Sequence, residues 1–288
     1  MATALAPDLD RNRSAALLRR YSIEITPRDG GKIAALAGRL PAGTPIAVTF
    51  LPGEEPSARV LAAKRIREAG FTPVPHISAR RLSSAAELDD FLSALSDQAG
   101  IDRAFVVAGD LREPVGPYPD ALSVIRSGLL ARHGIARVGI AGYPDGHPGI
   151  APAMLAGALR DKARALREAG QGVWIATQFG FDADPVLAWL ERLRGEGLYM
   201  PVSIGVAGPA SVQALLRFAA RCGVGVSAKV VAKYGFSLTQ LLQPAGPGAM
   251  IADLAERLEP ARHGEAGLHF YPFGGLEKTV AWIGANAA

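Results

Sequence analysis

A glutamate inside an apolar segment is the first residue of this sequence whose type and place could do chemistry. Glu24 stands between Ile23 and Ile25, in a short run that is typical of a β-strand. Burying a carboxylate costs free energy unless the group is paired or used, so Glu24 is a candidate acid or base. The alternative, in which Glu24 only points away from an apolar face, is open at this stage.

Other strand-like runs also end in polar residues. Thr49 and His76 come near the ends of two runs, Asp110 follows Gly109 directly after a third, and Gln178 ends a later one. Hydroxyl, imidazole, carboxylate and amide groups together can bind a polar ligand and move protons. Structural roles are the alternative: Asp110 could cap a helix, and His76 could be a histidine at the strand ends whose hydrogen bonds are made within the protein.

These residues belong to a regular alternation of strand-like and helix-like segments. Amphipathic stretches separate apolar runs at 21–25, 46–50, 72–77, 104–108, 137–141, 173–178, 202–206 and 268–271. Strands that alternate with helices predict a parallel sheet, and eight such units in 288 residues predict an α/β fold, a (β/α)8 TIM barrel, as a single domain over 1–288. The carboxyl ends of the strands form one rim of such a barrel, so we expect the polar residues there.

A ninth apolar run, 224–231, competes for the place of the last strand. We prefer 268–271, because an amphipathic C-terminal helix follows it directly, as in the final unit of a barrel. Segment 222–265 then becomes a long helical insertion before the last strand, with helices near 237–242 and 248–258. Segment 1–19 becomes an N-terminal extension or helix.

The composition excludes several classes of protein. Apolar residues make up 49% and charged residues 20%, which is typical of a globular chain and not of a disordered one. The net charge is +4 with no concentrated basic run, so we expect no nucleic-acid partner. The one cysteine, Cys222, excludes an internal disulfide. No 18-residue apolar stretch or signal-peptide core occurs, so we expect a cytoplasmic protein without a membrane partner, and a homo-oligomer stays open.

Common nucleotide, hydrolase and metal motifs are missing from the sequence. It contains no Gly-x-Gly-x-x-Gly, no Walker-type Gly-Lys-Ser/Thr and no Gly-x-Ser-x-Gly. His76, His147 and His269 could ligate a metal from different strands. No His-x-His or His-Glu-x-x-His spacing supports such a site, and we therefore expect no metal.

The segments at the predicted strand ends form an ordered series. They read Ile-Glu-Ile-Thr-Pro-Arg at 23–28, Val-Thr-Phe at 48–50, Pro-His-Ile-Ser at 75–78, Ala-Gly-Asp at 108–110, Tyr-Pro-Asp-Gly-His-Pro at 143–148, Thr-Gln-Phe at 177–179 and Leu-His-Phe-Tyr at 268–271. In this order they resemble the methylenetetrahydrofolate reductase family, in its bacterial, barrel-only type. The sequence departs from the family pattern at Ala108, where the family usually has arginine, and at 204–209.

The resemblance implies a flavin-dependent oxidoreductase of one-carbon metabolism and methionine biosynthesis. It implies FAD at the barrel mouth, NADH or NADPH as co-substrate, and interconversion of 5,10-methylenetetrahydrofolate and 5-methyltetrahydrofolate. Glu24 would be the acid that protonates N10 of the folate, and Asp110, also catalytic, would lie beside the flavin pyrimidine or the pterin. The substrate would contact Thr49, Gln178 and Phe179. The flavin would contact Thr49, His76, Gly109, Asp110, Tyr118, Asp120, Tyr143, His147, Asp161 and Lys162, the last two being approximate counterparts of family residues.

Two other functions stay open from the sequence. The first is a relative that uses the folate site without FAD, or that runs oxidatively in a demethylation pathway. The changes at Ala108 and near Val206 motivate it. The second is a phosphate-binding barrel without redox function, in which the loop at 205–211 would bind the phosphate.

Overall fold

The predicted strands form a closed parallel barrel in the computed structural model, which describes residues 13–222 and 244–287. Each strand pairs with its neighbours in the sequence, and the last pairs with the first. The (β/α)8 prediction is therefore confirmed. The barrel strands are β1 Tyr21–Ile25, β2 Pro45–Val48, β3 Thr72–Ser78, β4 Arg103–Val107, β5 Arg137–Gly142, β6 Gly172–Gly180, β7 Val202–Ala207 and β8 Ala266–Tyr271.

Helices follow the strands on the described part of the chain. Most begin at a residue that suits a first turn, such as Ser84, whose side chain accepts a hydrogen bond from the backbone N–H of Glu87. Two 3-10 segments, Pro27–Leu36 and Ala79–Arg81, follow β1 and β3. The α-helices are α1 Pro56–Glu68, α2 Ala85–Ala99, α3 Ala121–Arg126, α4 Leu129–Arg132, α5 Pro152–Glu168, α6 Ala183–Gly195, α7 Val212–Cys222, α8 Gly248–Arg257, α9 Pro260–His263 and α10 Leu276–Asn286.

The last strand is the one that the sequence predicted. Ala266–Tyr271 closes the barrel and pairs with β7 in parallel, with His269 opposite Gly205. In the predicted insertion at 222–265, helices α8 and α9 are present. The competing run at 224–231 and the predicted helix near 237–242 lie outside the described residues. At the N-terminus, residues 13–17 are helical and 1–12 lie outside the described residues.

The chain divides into two compact units. The first comprises Ser22–Gly142 and Ile150–Ala176, and the second comprises Met1–Tyr21, Tyr143–Gly149 and Thr177–Ala288. The single-domain boundaries predicted from the sequence stay a prediction.

Side chains of the first unit fill the barrel interior. Ala47, Val74, Phe105 and Ala176 form one buried cluster, although they come from four different strands. Gly139 of β5 lies against this cluster, where a Cβ would come within 2.4 Å of Trp174 and 2.5 Å of Phe105. The absence of a side chain at 139 therefore lets two large rings pack across the interior.

In the second unit, an aromatic core packs between strands and helix. Phe179 of β6 lies against Phe181, Tyr271 and Phe273 with ring centroids 4.7–5.7 Å apart. The same cluster includes Val212 and Leu215 of α7. This cluster fixes the outward face of β6 against its covering helix.

Candidate functional site

A carboxylate and an imidazole meet on the inward face of the first unit. Glu24 of β1 pairs in register with Ala47, and His76 of β3 lies two residues beyond Val74, so both continue the inward face. Oε2 of Glu24 is 3.5 Å from Nε2 of His76, and the side chains are 19% and 9% exposed. The pair can share a proton in a site that is largely closed to water.

The two residues are held by their surroundings. The His76 ring packs on Phe105 with centroids 4.8 Å apart. Thr49 lies just beyond β2, not within it as the sequence predicted, and its backbone N–H donates to the carbonyl of Ile25 at 2.9 Å. That bond continues the β1–β2 ladder and places the partly buried Thr49 at the same strand end as Glu24.

The loop after β4 carries Asp110 in an ion pair. Gly109 adopts φ +90°, a conformation that favours glycine, and turns the chain directly before Asp110. Nε and Nη2 of Arg81 both donate to Oδ1 of Asp110, at 2.9 and 2.8 Å, and Nη2 also reaches Oδ2 at 3.0 Å. The positive charge of Arg81, in the loop after β3, therefore balances the negative charge of the Asp110 carboxylate and holds it in place. The Asp110 side chain itself remains 65% exposed.

Sequence reasoning missed Arg81. The signal was a tandem pair of arginines directly after β3. Arg80 holds the same β4 loop, because its Nε donates to the carbonyl of Pro119 at 2.7 Å and its Nη1 to that of Leu111 at 2.8 Å. The two arginines together fix the segment from Asp110 to Pro119.

Four residues predicted to contact a flavin lie around α3 and α5. Tyr118 is buried, and Asp120 is the N-cap of α3, accepting from the backbone N–H of Ser123 at 2.8 Å. Lys162 is half-buried and Asp161 is exposed. Burial lowers the pKa of Lys162, while the charge of Asp120 acts in the opposite direction. Lys162 is thus a desolvated ammonium group facing a single carboxylate that also caps a helix.

A second buried cation, Arg59 of α1, was also missed. Its guanidinium lies over the rings of Phe50 and Phe91, 5.0 and 4.4 Å from their centroids, and Nη1 donates to the carbonyl of His76 at 3.2 Å. Burial lowers the pKa of Arg59 to about 10, although the negative charges of Glu87 and Glu54 act to raise it. The group remains charged at neutral pH, and no periodicity in the sequence distinguishes it from the other arginines of α1.

The loop after β5, in the second unit, contains Tyr143 and His147. Their rings meet edge to face with centroids 5.4 Å apart, and Nδ1 of His147 accepts from the backbone N–H of Gly149 at 3.1 Å. Burial raises the pKa of the Tyr143 hydroxyl. Desolvation, together with the nearby charge of Asp182, raises the pKa of Asp145 to about 6. Asp145 was not among the predicted site residues, although its motif was recognised.

β6 separates two residues that the sequence grouped together. Gln178 continues the inward face of Ala176 and is partly buried, as a ligand-binding residue requires. Phe179 alternates to the opposite face and is 1% exposed in the aromatic core. Phe179 therefore has a packing role, since successive side chains of a strand point to opposite faces, and its predicted contact with substrate stays a prediction.

The proposed phosphate loop after β7 has little free hydrogen-bonding capacity. The backbone N–H of Gly205 donates to Oγ1 of Thr177 at 2.8 Å, and that of Gly208 donates to the carbonyl of Tyr271 at 2.8 Å. Two amides that an anion would need are already used, so the geometry disfavours the phosphate-binding alternative.

The described residues offer neither a metal site nor a membrane-spanning helix. In 13–222 and 244–287, no three His, Cys, Asp or Glu side chains form a group that could hold a metal ion. No helix in these ranges is long and apolar enough to cross a membrane.

Fold and polar strand ends together define a barrel of the kind that binds small molecules at the carboxyl ends of its strands. A family model described as methylenetetrahydrofolate reductase matches residues 33–280. The chain belongs to this family, as the strand-end motifs predicted, and so to a group of folate-related enzymes.

Two solved structures are similar in fold. An uncharacterised protein from Clostridium thermocellum, described as binding two copies of 5-methyl-5,6,7,8-tetrahydrofolic acid, has a TM-score of 0.61 at 9% identity, with 93% of each chain covered. Dihydropteroate synthase from Thermus thermophilus has a TM-score of 0.47 at 15% identity, with 92% of this chain and 93% of that chain covered.

Proposed function

We propose that this protein interconverts 5,10-methylenetetrahydrofolate and 5-methyltetrahydrofolate, with FAD as cofactor and NADH or NADPH as co-substrate. The observation that carries the proposal is the Glu24–His76 pair, 3.5 Å apart, at the strand ends of a barrel of this family. The similar Clostridium protein, which binds 5-methyltetrahydrofolate, supports folate as the substrate class.

Glu24 would act as the general acid. Opening the five-membered ring of methylenetetrahydrofolate leaves a basic nitrogen at N10, which needs a proton. Glu24 is 19% exposed, and its carboxyl group, when protonated, can donate a proton at that atom. His76 would orient the carboxyl group and return the proton after each turnover.

In the first unit, Asp110 would bind the polar edge of the pterin, and in the second unit Gln178 would be a separate candidate for contact with the substrate. A carboxylate accepts from the ring N–H and amino groups, and an amide both donates and accepts. Arg81 holds Asp110 at its Nε and Nη2, which fixes the orientation of the carboxylate before a ligand arrives.

Residues of the first unit fit a flavin dinucleotide. Burial lowers the pKa of Lys162, and only the charge of Asp120 acts to raise it. A diphosphate group near Lys162 would stabilise the charged ammonium. Gly109, with no side chain and φ +90°, leaves room for a ring to approach the backbone. Thr49 and His76 would complete the contacts in this unit. The flavin would carry the hydride between nicotinamide and the one-carbon unit.

A flavin spectrum and a turnover assay test the proposal. The purified protein, mixed with FAD and separated from free ligand, should keep an absorbance band near 450 nm that NADH or NADPH bleaches and methylenetetrahydrofolate restores. A protein that binds no folate in calorimetry would contradict the folate function. A protein that binds folate and turns it over without any flavin would contradict only the cofactor.

One observation favours a second candidate, a folate enzyme of this family that works without FAD or runs oxidatively. Asp120 caps a helix and Asp110 is already paired with Arg81, so two predicted flavin contacts are engaged elsewhere. Turnover of methylenetetrahydrofolate by NAD(P)H in flavin-stripped protein distinguishes this candidate, and the ratio of forward to reverse rates reports its direction.

A further inference from the structure

A small cleft in the first unit shares Arg81 with the proposed folate site and is otherwise lined by residues not assigned to that site. It has a volume of about 200 Å³ and opens between the loops after β2, β3 and β4 and helices α1 and α2. Its walls combine two guanidinium groups, two carboxylates and apolar surface, contributed by Arg59, Arg81, Glu54, Glu87, Phe91 and Val115.

The guanidinium groups of this cleft have unused donors. Arg59 bonds the His76 carbonyl through Nη1 only, and its buried Nε has no hydrogen-bond partner. No carboxylate of the described residues lies within 4 Å of the Arg59 guanidinium. Arg81 uses Nε and Nη2 on Asp110. Each arginine therefore keeps one NH2 group, Nη2 of Arg59 and Nη1 of Arg81, that bonds no described protein atom.

Glu54 and Glu87 of the cleft each have one oxygen that accepts no hydrogen bond from the described residues, so there are as many unused acceptor atoms as unused NH2 groups. Oε1 of Glu54 is 3.4 Å from Nε of Arg28, while Oε2 is buried without a hydrogen-bond partner. Oε2 of Glu87 accepts from the backbone N–H and the hydroxyl of Ser83, which leaves Oε1 unused. A buried polar atom without a partner destabilises the folded protein, so a ligand that supplies both signs of charge would stabilise the cleft.

We propose that this cleft binds a free α-amino acid with an apolar side chain. Its carboxylate would lie on the guanidinium groups of Arg59 and Arg81, its ammonium on Glu54 and Glu87, and its side chain against Phe91 and Val115. A free phosphate or other dianion would be repelled by the two glutamates, and a metal cation by the two arginines. A volume of about 200 Å³ suits a molecule of this size.

The test measures binding alone and needs neither flavin nor folate. The protein is screened by thermal shift against the twenty L-amino acids, and the strongest binder is titrated by calorimetry. We expect one or more apolar amino acids to raise Tm. The corresponding carboxylic acid without the amine, and amine without the carboxylate, should each bind at least tenfold more weakly. No shift with any amino acid, or equal binding of either analogue, overturns the proposal.

Matched variants locate the site. Glu54→Gln keeps the shape of the side chain but removes its charge, and should weaken amino-acid binding at least tenfold. Glu55→Gln changes the exposed neighbouring glutamate, which does not line the cleft, and should bind as the wild type does. Equal affinities of the two variants overturn the assignment. If Glu54→Gln does not fold, Glu87→Gln replaces it, since a glutamine carbonyl can still accept from Ser83.

Discussion

The guanidinium of Arg81 holds Asp110 by three hydrogen bonds of 2.8–3.0 Å across 29 residues of sequence. The ring of Phe50 lies beneath the same guanidinium, 4.8 Å from its centre. Asp110 thus enters the proposed reaction as half of a preformed ion pair, and the charge presented to a ligand depends on both residues.

Removing Arg81 should change ligand binding through Asp110. We expect Arg81→Gln to weaken folate binding about tenfold, the worth of roughly 1.4 kcal/mol, because Asp110 would lose its fixed orientation. Calorimetry on Arg81→Gln, Asp110→Asn and the double variant forms a double-mutant cycle. Effects that simply add would show that the two residues act independently.

Glu24→Gln should separate the two half-reactions. The amide keeps the shape of the side chain but lacks the acidic proton, so reduction of flavin by NAD(P)H should remain near the wild-type rate. Reoxidation by methylenetetrahydrofolate should slow by roughly 10²-fold, the usual contribution of a positioned general acid. Stopped-flow absorbance resolves the steps, and Glu265→Gln, an exposed residue paired with Arg20, is the control. Wild-type reoxidation in Glu24→Gln would exclude Glu24 as the acid.

Lys162→Met should weaken FAD binding without unfolding the protein. The methionine fills a similar volume but cannot neutralise a diphosphate, and we expect a loss of affinity of about tenfold or more. Fluorescence quenching of FAD measures the change. Lys64→Met, on the exposed face of α1 where Lys64 pairs with Glu68, is the matched control. Identical FAD affinities in both variants would remove Lys162 from the cofactor site.

The stability of the protein should depend on Asp145 between pH 4 and 6. The folded-state pKa of Asp145 is about 6 and its ordinary value is 3.8, so the unfolded chain ionises first as pH rises. The wild type should lose stability across this window relative to Asp145→Asn, by at most about 1 kcal/mol, since the residue is exposed to solvent. Urea unfolding at pH 4, 5, 6 and 7 measures the difference, and Asp90→Asn corrects for the loss of one surface charge. A difference that does not vary with pH would contradict the prediction.

Gly139→Ala should destabilise the barrel by about 1–3 kcal/mol, because the new Cβ would overlap Trp174 and Phe105. Gly284→Ala, in α10 with open space around it, should instead stabilise the protein by up to about 1 kcal/mol. Denaturant unfolding compares the two. A neutral Gly139→Ala would mean that the rings can move apart freely.

The strands were predictable because their β-branched runs alternate with amphipathic helices, a pattern that is local in sequence. Gln178 and His76 were predictable for the same reason, since each ends a run. The period of two along β6 places Phe179 opposite Gln178, in the aromatic core, and its predicted contact with substrate stays a prediction. Arg59 could not be found, because its partners come from other elements and leave no local pattern. For Arg81 the tandem arginines after β3 were a signal, but its partner Asp110 is 29 residues away in the sequence.

The arrangement of Arg80 and Arg81 bears on how this barrel could be re-engineered. The loop after β4 is tied through Pro119, Leu111 and Asp110 to side chains of the loop after β3. A loop that is shaped by its neighbour cannot be transplanted alone, because the graft would arrive without the groups that fold it. The segment from Ala79 to Pro119 is therefore the smallest exchangeable module on this side of the barrel, and chimeras with relatives should keep it whole.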